Sequence, residues 1–380
     1  MMDEINLLKK MTIVMPTYER EAFALRNMHF WSGKQIQFLV LDGSKQKISD
    51  QKLEEFEDNI KYFHLPVSMA ERINFAKELV NTEYVSLLGD DEFLLPSGIA
   101  ACINEIEKKD LATCLGRSLY FSYKEGKIEA EPLNHEAGSP WHPGFKNYNL
   151  LQNDPAERVR NHMNPYLSTT FYAVTKTPVW KRSMAAYQNM RSSADCPEVA
   201  LELSNSFQGK SKVIDILMWL RSGENEPMLL YGERKDYITF GKWYDDPVYE
   251  NEKHLFISTI VDAVHSSSSK YQKNYIYKVI RSGCQAFSLF EKTRRFDLRA
   301  WIVNMHLGFK PMKYLIIKRF NQLMQKIGFR KSDEHGLSII DPDLFEMASV
   351  WNKNGIGVDL EEIREINELI INFHKQSEKA

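Results

Sequence analysis

The sequence predicts an α/β protein, with a mostly parallel sheet flanked by helices and then a helical C-terminal region. Three observations predict it. Short apolar runs in the first half each stop at Pro, Asp or Gly. The segments between those runs carry apolar residues at helical spacing. From about residue 250 the helical spacing continues without strands between. Strand–helix alternation of this kind builds a parallel sheet.

In chain order, "TIVMP" (12–16), "IQFLVLD" (36–42), "IKYFHLP" (60–66) and "YVSLLG" (84–89) read as strands. "EAFALRNMHFWSG", "DQKLEEFEDN" and "SMAERINFAKELVNT" read as the helices between and after them. "TCLGRSLYFSYK" (113–124) and "STTFYAVTK" (168–176) are further strands, and "EPLNHEAGSPWHPGFKNYN" is a long loop. "CPEVALELSNSFQGK" reads as a helix closed by Gly209. Four helical stretches follow: "EKHLFISTIVDAVHSSSS", "NYIYKVIRSGCQAFSLFEKTRRF", "PMKYLIIKRFNQLMQKIGF" and "DLEEIREINELIINFHKQ". The expected division is a nucleotide-binding and catalytic domain over 1–240 and a mainly helical region over 241–380.

At 380 residues the chain is long enough for a substantial core and two domains. A net charge of -2 gives no general attraction to nucleic acid. Cys102, Cys114, Cys196 and Cys284 lie far apart with no C-x-x-C pair. That pattern argues against a zinc site or a disulfide framework and for a reducing compartment. "MMDEINLLKKM" is not a signal peptide by its acids and short apolar stretch. No apolar run reaches the roughly 20 residues that span a bilayer. The expected location is the cytoplasm, with the inner face of the membrane as a peripheral contact.

In a parallel sheet, polar groups after the strands collect in the crevice outside the carboxyl edge. Pro16-Thr17-Tyr18, Asp42-Gly43-Ser44 and Asp90-Asp91-Glu92 all follow strands and should converge there. Three adjacent acids repel one another unless something positive sits among them. Magnesium or manganese fits, because these cations take one or two carboxylates plus phosphate oxygens. The bland alternative is a solvated acidic turn, but "SLLG" and "FLLP" on either side imply a turn held on the core.

Together "TIVMPTYERE", "FLVLDGS", "SMAERINFAKELVNTEYVSLLGDDEFLLPSGI" and "PEVALELSNSFQGK" resemble family 2-type glycosyltransferases of the GT-A fold. Within that group they look most like a bacterial subfamily linked to surface polysaccharide synthesis. The resemblance is good over roughly residues 11–100 and weaker but ordered to about 221. It implies a nucleotide-sugar donor and a glycan or lipid-linked glycan acceptor, with no nucleic acid partner. Thr17 and Tyr18 would frame the base, Asp42 would contact base or ribose, and Arg72 would reach the nucleotide. Asp90 would face the ribose, and Asp91 and Glu92 would be the metal ligands. The family turn often reads Asp-x-Asp-Asp, which puts Gly89 at the first acid; in other members it reads Gly-Asp-Asp-Asp.

Inverting transfer needs a carboxylate to take the acceptor's proton. The resemblance places it at the start of "CPEVALELSNSFQGK", where Glu198 comes first, Asp195 next and Glu202 behind. Acids are favoured at a helix start by the dipole alone, which is the competing account. Two further patches allow a functional reading. Trp141, His142 and Lys146 would sit in an acceptor lid, or on plain surface. The Arg/Lys-rich stretch near 291–331 would be a membrane-surface helix, or an ordinary helical subdomain with a basic face. Two rivals remain. A nucleotidyltransferase would need a Gly-rich loop after the first strand, which "MPTYEREAF" lacks. A degenerate, non-catalytic family member is kept in view by Gly89.

Overall fold

The computed structural model describes residues 2–132, 148–166, 170–187, 193, 195–225, 238–265, 271–295 and 343–377. The first half alternates as expected. Helix α1 (Met2–Leu8) leads into β1 (Met11–Thr17), α2 (Glu21–Trp31), β2 (Gln37–Asp42), α3 (Asp50–Leu53), β3 (Ile60–His64), α4 (Met69–Leu79) and β4 (Tyr84–Leu87). Next come β5 (Phe93–Leu94), α5 (Pro96–Lys109), β6 (Thr113–Lys124), β7 (Lys127–Pro132), β8 (Asn149–Leu150) and α6 (Pro155–Met163). Then β9 (Val174–Lys176), α7 (Thr177–Ala185), α8 (Cys196–Gln208) and β10 (Ser211–Ser222) complete one sheet. Helices α9 (Phe240–Asp245), α10 (Glu250–Val264), α11 (Lys273–Arg295), α12 (Leu344–Lys353) and α13 (Leu360–Ser377) follow among the described residues.

The strand order is β3-β2-β1-β4-β9-β6-β10-β5, with β7 on β6 and β8 on β10. β1, β2, β3 and β4 are parallel, and β6 and β10 run the same way beyond the reversed β9. β9 pairs only with the first residues of β4 and β6. Past it the ladder between those strands stops. The chain leaves β4 at that point and crosses to β10, where Phe93 and Leu94 pair antiparallel with Leu220 and Trp219. The two apolar runs around the acidic turn are therefore strands of one sheet, and the turn bridges them.

Both faces of the sheet are covered, which is why its strands read as unbroken apolar runs. Ile13, Met15, Phe38 and Val40 point into one core with α2 and α5. Val14, Leu39 and Leu41 alternate with them and point into another with α4 and α7. Local signals fix where helices begin. Ser68 and Glu71 form a reciprocal capping box at the start of α4. Pro96 and Pro197 occupy first-turn positions of α5 and α8, where no amide donor is needed.

Two predicted elements are shorter than their sequence patterns, and four strands, β5, β7, β8 and β10, were not predicted. "DQKLEEFEDN" yields only Asp50–Leu53, a helix with no buried residue. Among its described residues, "STTFYAVTK" yields only Val174–Lys176. β10, "SKVIDILMWLRS", has no counterpart in the sequence reading. Asp215 interrupts its apolar run, and only the fold supplies Arg117 of β6 as the pairing partner, Nε to Oδ1 at 2.9 Å.

The described helices beyond residue 240 divide between two cores. Phe240, Trp243, Phe256, Ile260, Ile280 and Phe287 pack with α6 and α8. Trp351 of α12 and Ile363, Ile366 and Ile370 of α13 instead return to the core of the sheet. Each such isoleucine, fully buried, contributes about 1.5–3 kcal/mol.

Candidate active site

Thr17 ends β1 and Asp42 ends β2, and the two residues are register partners. Arg72, buried on α4, ties their strand ends together. Its Nη1 donates to the carbonyls of Thr17 (2.6 Å) and Leu41 (2.9 Å). A side chain at position 43 would meet this guanidinium, since a Cβ on Gly43 would lie 2.6 Å from Arg72 Cζ. Asp42 is buried, accepting from the Ser44 amide (2.8 Å) and the Tyr62 hydroxyl (2.5 Å). Tyr18 is 43% exposed at the crevice edge. The next residue, Glu19, takes the left-handed backbone at φ 55°, uncommon for a non-glycine residue. Its amide donates to Ser44 Oγ at 2.7 Å, joining the loops after β1 and β2.

The acidic turn meets the same strand ends. Asp90 Oδ2 accepts from Thr17 Oγ1 at 2.8 Å, and Asp90 Oδ1 accepts from Arg20 Nη1 at 3.2 Å. The same Nη1 lies 3.7 Å from Asp91 Oδ2. A cation therefore does sit among the acids, and here it is Arg20. Burial, then the negative Asp91 beside it, pushes the Asp90 carboxyl up to about 6. The main chain of the turn is held from α2. Asn27 Nδ2 donates to the carbonyls of Asp90 (2.8 Å) and Glu92 (3.1 Å), and Arg26 Nη2 to that of Asp91 (2.9 Å).

Asp91 and Glu92 have different surroundings. Asp91 Oδ2 accepts from Asn225 Nδ2 at 2.8 Å, just beyond β10. Glu92 is buried, and its Oε2 accepts from the Trp219 indole of β10 at 3.1 Å. Burial, with Asp91 adding to it, pushes Glu92 up to about 8, so at neutral pH it is mostly a neutral acid. The two expected ligands thus differ in place: Asp91 lies beside Arg20 and Asn225, and Glu92 is held against the Trp219 indole. A Cβ on Gly89 would stand 3.0 Å from Glu92 Oε2, so a side chain at position 89 would crowd this arrangement.

The three acids of α8 separate clearly. Glu202 is fully buried and accepts from the Thr170 amide (3.0 Å), the Thr170 hydroxyl (2.5 Å) and the Phe171 amide (2.9 Å), with His162 Nε2 at 2.6 Å. Asp195 accepts from the Phe240 amide at 2.9 Å and so links α8 to α9. Glu198 is half-buried and accepts from the Tyr166 hydroxyl at 2.6 Å. Tyr172 stands between α8 and the turn. Its phenol is pushed well up by burial and then by the fields of Glu92, Glu198 and Asp91. Its ring lies 4.6 Å from that of Trp219.

A divalent cation here fits the donor set only with help. Among the described residues no group of three or more His, Cys, Asp or Glu side chains could hold a metal. Asp91 would be one protein ligand, and phosphate oxygens and water would supply the rest, as is usual for magnesium. Sequence reasoning missed Arg20, Arg26, Asn27, Tyr172, Trp219 and Asn225. Arg20 lies inside the quoted "MPTYERE" motif, and its charge beside an acidic turn was a usable signal. The other five become neighbours only through packing. Trp141, His142 and Lys146 lie outside the described residues, as does most of the basic stretch after 291.

Residues 12–169 match the model of glycosyl transferase family 2. This segment is a family 2 glycosyltransferase domain. The domain carries β1 to β4, the acidic turn and every strand-end residue named above except those of β10. Among solved structures, the chain is similar to S. aureus TarS 1-349 in complex with UDP-GlcNAc. That match has 13% identity over 76% of this chain and 75% of the other, with a TM-score of 0.48. It is also similar to TarS 1-349 (10% identity, 75% and 91% covered, TM-score 0.41). A third match is TarS 1-349 in complex with UDP (11% identity, 75% and 91%, TM-score 0.39). No curated protein matches the chain. Among the described residues, no helix is long and apolar enough to cross a membrane.

Proposed function

We propose that this glycosyltransferase moves a sugar from a nucleotide-sugar donor to a hydroxyl of a free or lipid-linked glycan, with inversion, in surface polysaccharide synthesis. The observation that carries the reading is the joining of Thr17, Arg20, Asp90 and Asp91 at the carboxyl edge, with Glu198 across Tyr172. The exposed face of Tyr18 is available to a base, and Asp42 and Arg72 shape the pocket beside it. Asp90, already bonded to Thr17, turns toward the ribose.

Asp91 would hold magnesium or manganese together with the donor diphosphate. When bound, the cation would offset charge on the departing diphosphate. Arg20 supplies positive charge to the same place from the protein. Glu198 is the general base. It takes the acceptor hydroxyl proton as that oxygen bonds to the anomeric carbon and the bond to the diphosphate breaks. Of the α8 acids, Glu202 is committed to the Thr170 and Phe171 amides and Asp195 to the Phe240 amide, whereas Glu198 accepts from the Tyr166 hydroxyl.

A thermal-shift screen of nucleotide sugars, with and without manganese, tests the reading. A true donor at 100 times its dissociation constant stabilises by roughly 2.7 kcal/mol. The same donor should then be turned over with an added glycan and lose turnover in EDTA. Stabilisation by no nucleotide sugar, together with no donor hydrolysis, would sink the proposal.

A further inference from the structure

At the opposite, amino edge of β6 and β10 lies a cleft of about 410 Å³. Four cations, Arg158, Lys176, Arg182 and Lys210, line it with a single carboxylate, Asp110. The chain as a whole is slightly negative at -2, so this lining runs against the average surface. Asp110 is already taken by Lys176, Nζ to Oδ1 at 2.6 Å.

Arg182 is held as a prepared donor. Its Nε donates to Gln208 Oε1. Gln208 is itself fixed, donating from Nε2 to Ser183 Oγ (2.8 Å) and the Val179 carbonyl (3.3 Å). Ser183 in turn donates to Asn205 Oδ1 at 2.6 Å. Among the described residues, neither Nη of Arg182 has a partner and no acid offsets its burial, which pushes its pKa down. Lys210 Nζ makes no direct hydrogen bond or ion pair among the described residues, and Asp110, taken by Lys176, adds only its field. Arg158 differs, because its nitrogens are spent on the carbonyls of Gln152, Asn153, Ser206 and Phe207. It adds fixed positive charge rather than free donors.

We propose that this cleft is a second binding site, for an anionic group of the phosphate or carboxylate class, with Arg182 and Lys210 as its donors. A rigid guanidinium fork with both outer nitrogens open matches the planar, paired oxygens of such groups. An anion there would also offset a desolvated charge that the protein leaves unmatched. Tyr271 and the edge-on Phe207, ring centroids 5.8 Å apart, form a wall for the sugar or base that carries the anion. Gln208 lies ten residues beyond Glu198 on α8, about 15 Å along the axis. The site is thus separate from the carboxyl-edge crevice and does not depend on the transfer reading.

A free phosphate and an anionic glycan share this chemistry, and calorimetry on the full chain without donor or metal separates them. The probes are inorganic phosphate, oligogalacturonate and neutral maltohexaose. Saturable phosphate binding is expected, weakened about tenfold or more in Arg182→Gln and by a smaller factor in Lys210→Gln. Asp110→Asn should bind no more weakly than wild type. Oligogalacturonate binding tighter than phosphate, with maltohexaose silent, assigns the site to an anionic glycan. Phosphate binding alone assigns it to a free phosphate. No saturable binding of either anion, or equal binding in wild type and Lys210→Gln as well as Arg182→Gln, overturns the proposal. Lys210→Gln removes no side-chain hydrogen bond among the described residues, so it reads the site even where Arg182→Gln unfolds.

Discussion

Asp91 and Glu92 are adjacent in sequence and unlike in chemistry, because one lies beside Arg20 and Asn225 and the other is sealed under Trp219. Asp91→Asn should abolish transfer with little change in melting temperature, since it loses the charge proposed to hold the cation and diphosphate. Glu92→Gln should keep most of the turnover, because an acid already neutral at pH 7 is replaced by a neutral amide that still accepts from the indole. Equal losses in both variants, in a donor-turnover assay, would make Glu92 a ligand beside Asp91. A similar contrast applies on α8. Glu198→Gln should lower transfer by about 10²–10⁴-fold at near-normal donor affinity, the usual worth of a general base. Glu202→Ala should instead cost about 3–5 kcal/mol of stability, because His162 and the Thr170 and Phe171 amides lose their shared buried partner. Urea unfolding beside single-turnover kinetics separates the two. A stable Glu202→Ala protein without turnover would move the base to Glu202.

At the scale of elements, three segments hold the acidic turn: α2, β10 and α13. Glu224, just past β10, accepts from Arg26 at 2.9 and 2.7 Å, and Arg26 also reaches the Asp91 carbonyl. His374 of α13 bonds the same Glu224 carboxylate, with its ring stacked on Tyr123 at 3.8 Å and 6°. The C-terminal helix is thus two residues removed from the turn that is proposed to carry the metal. His374→Ala should raise the donor KM roughly fivefold, the worth of about one hydrogen bond of 1 kcal/mol. Its kcat should move less. If steady-state kinetics show an unchanged KM with only a lower melting temperature, α13 stabilises the fold without positioning the turn.

At the scale of the whole molecule, α12 and α13 close the core that the N-terminal half begins. The docking includes a buried acid. Glu362 accepts from the Ser97 amide (2.9 Å) and hydroxyl (2.7 Å) at the start of α5. Burial, opposed by those two donors, pushes its carboxyl up from 4.5 to about 7. A folded-state pKa above the unfolded one favours folding in the protonated form. Its contribution is full below about 4.5 and is lost as pH rises through about 7. Glu362→Gln should therefore show a flatter fall in stability than wild type across that window. Urea midpoints at about pH 5 and about pH 8 measure it, and parallel losses in both proteins would mean that Glu362 does not couple to folding.

The sequence by itself determined the strand ends. Thr17, Asp42 and Asp90 are each placed by their own apolar strand, whose period and terminating residue are local. It also determined where α4 and α8 begin, through Ser68 with Glu71 and through Pro197. Arg20 was within reach of the same reasoning, since it belongs to the first strand-end motif. Tertiary structure alone decided the rest. Burial made Glu92 a partner of Trp219, 127 residues away, and made Glu202 a partner of His162. Packing brought Glu224 to Arg26 across 198 residues and carried α13 back to the sheet. Local rules act over a few residues of chain, whereas the dielectric around a carboxylate and its donors is set by whichever distant segments the core draws together.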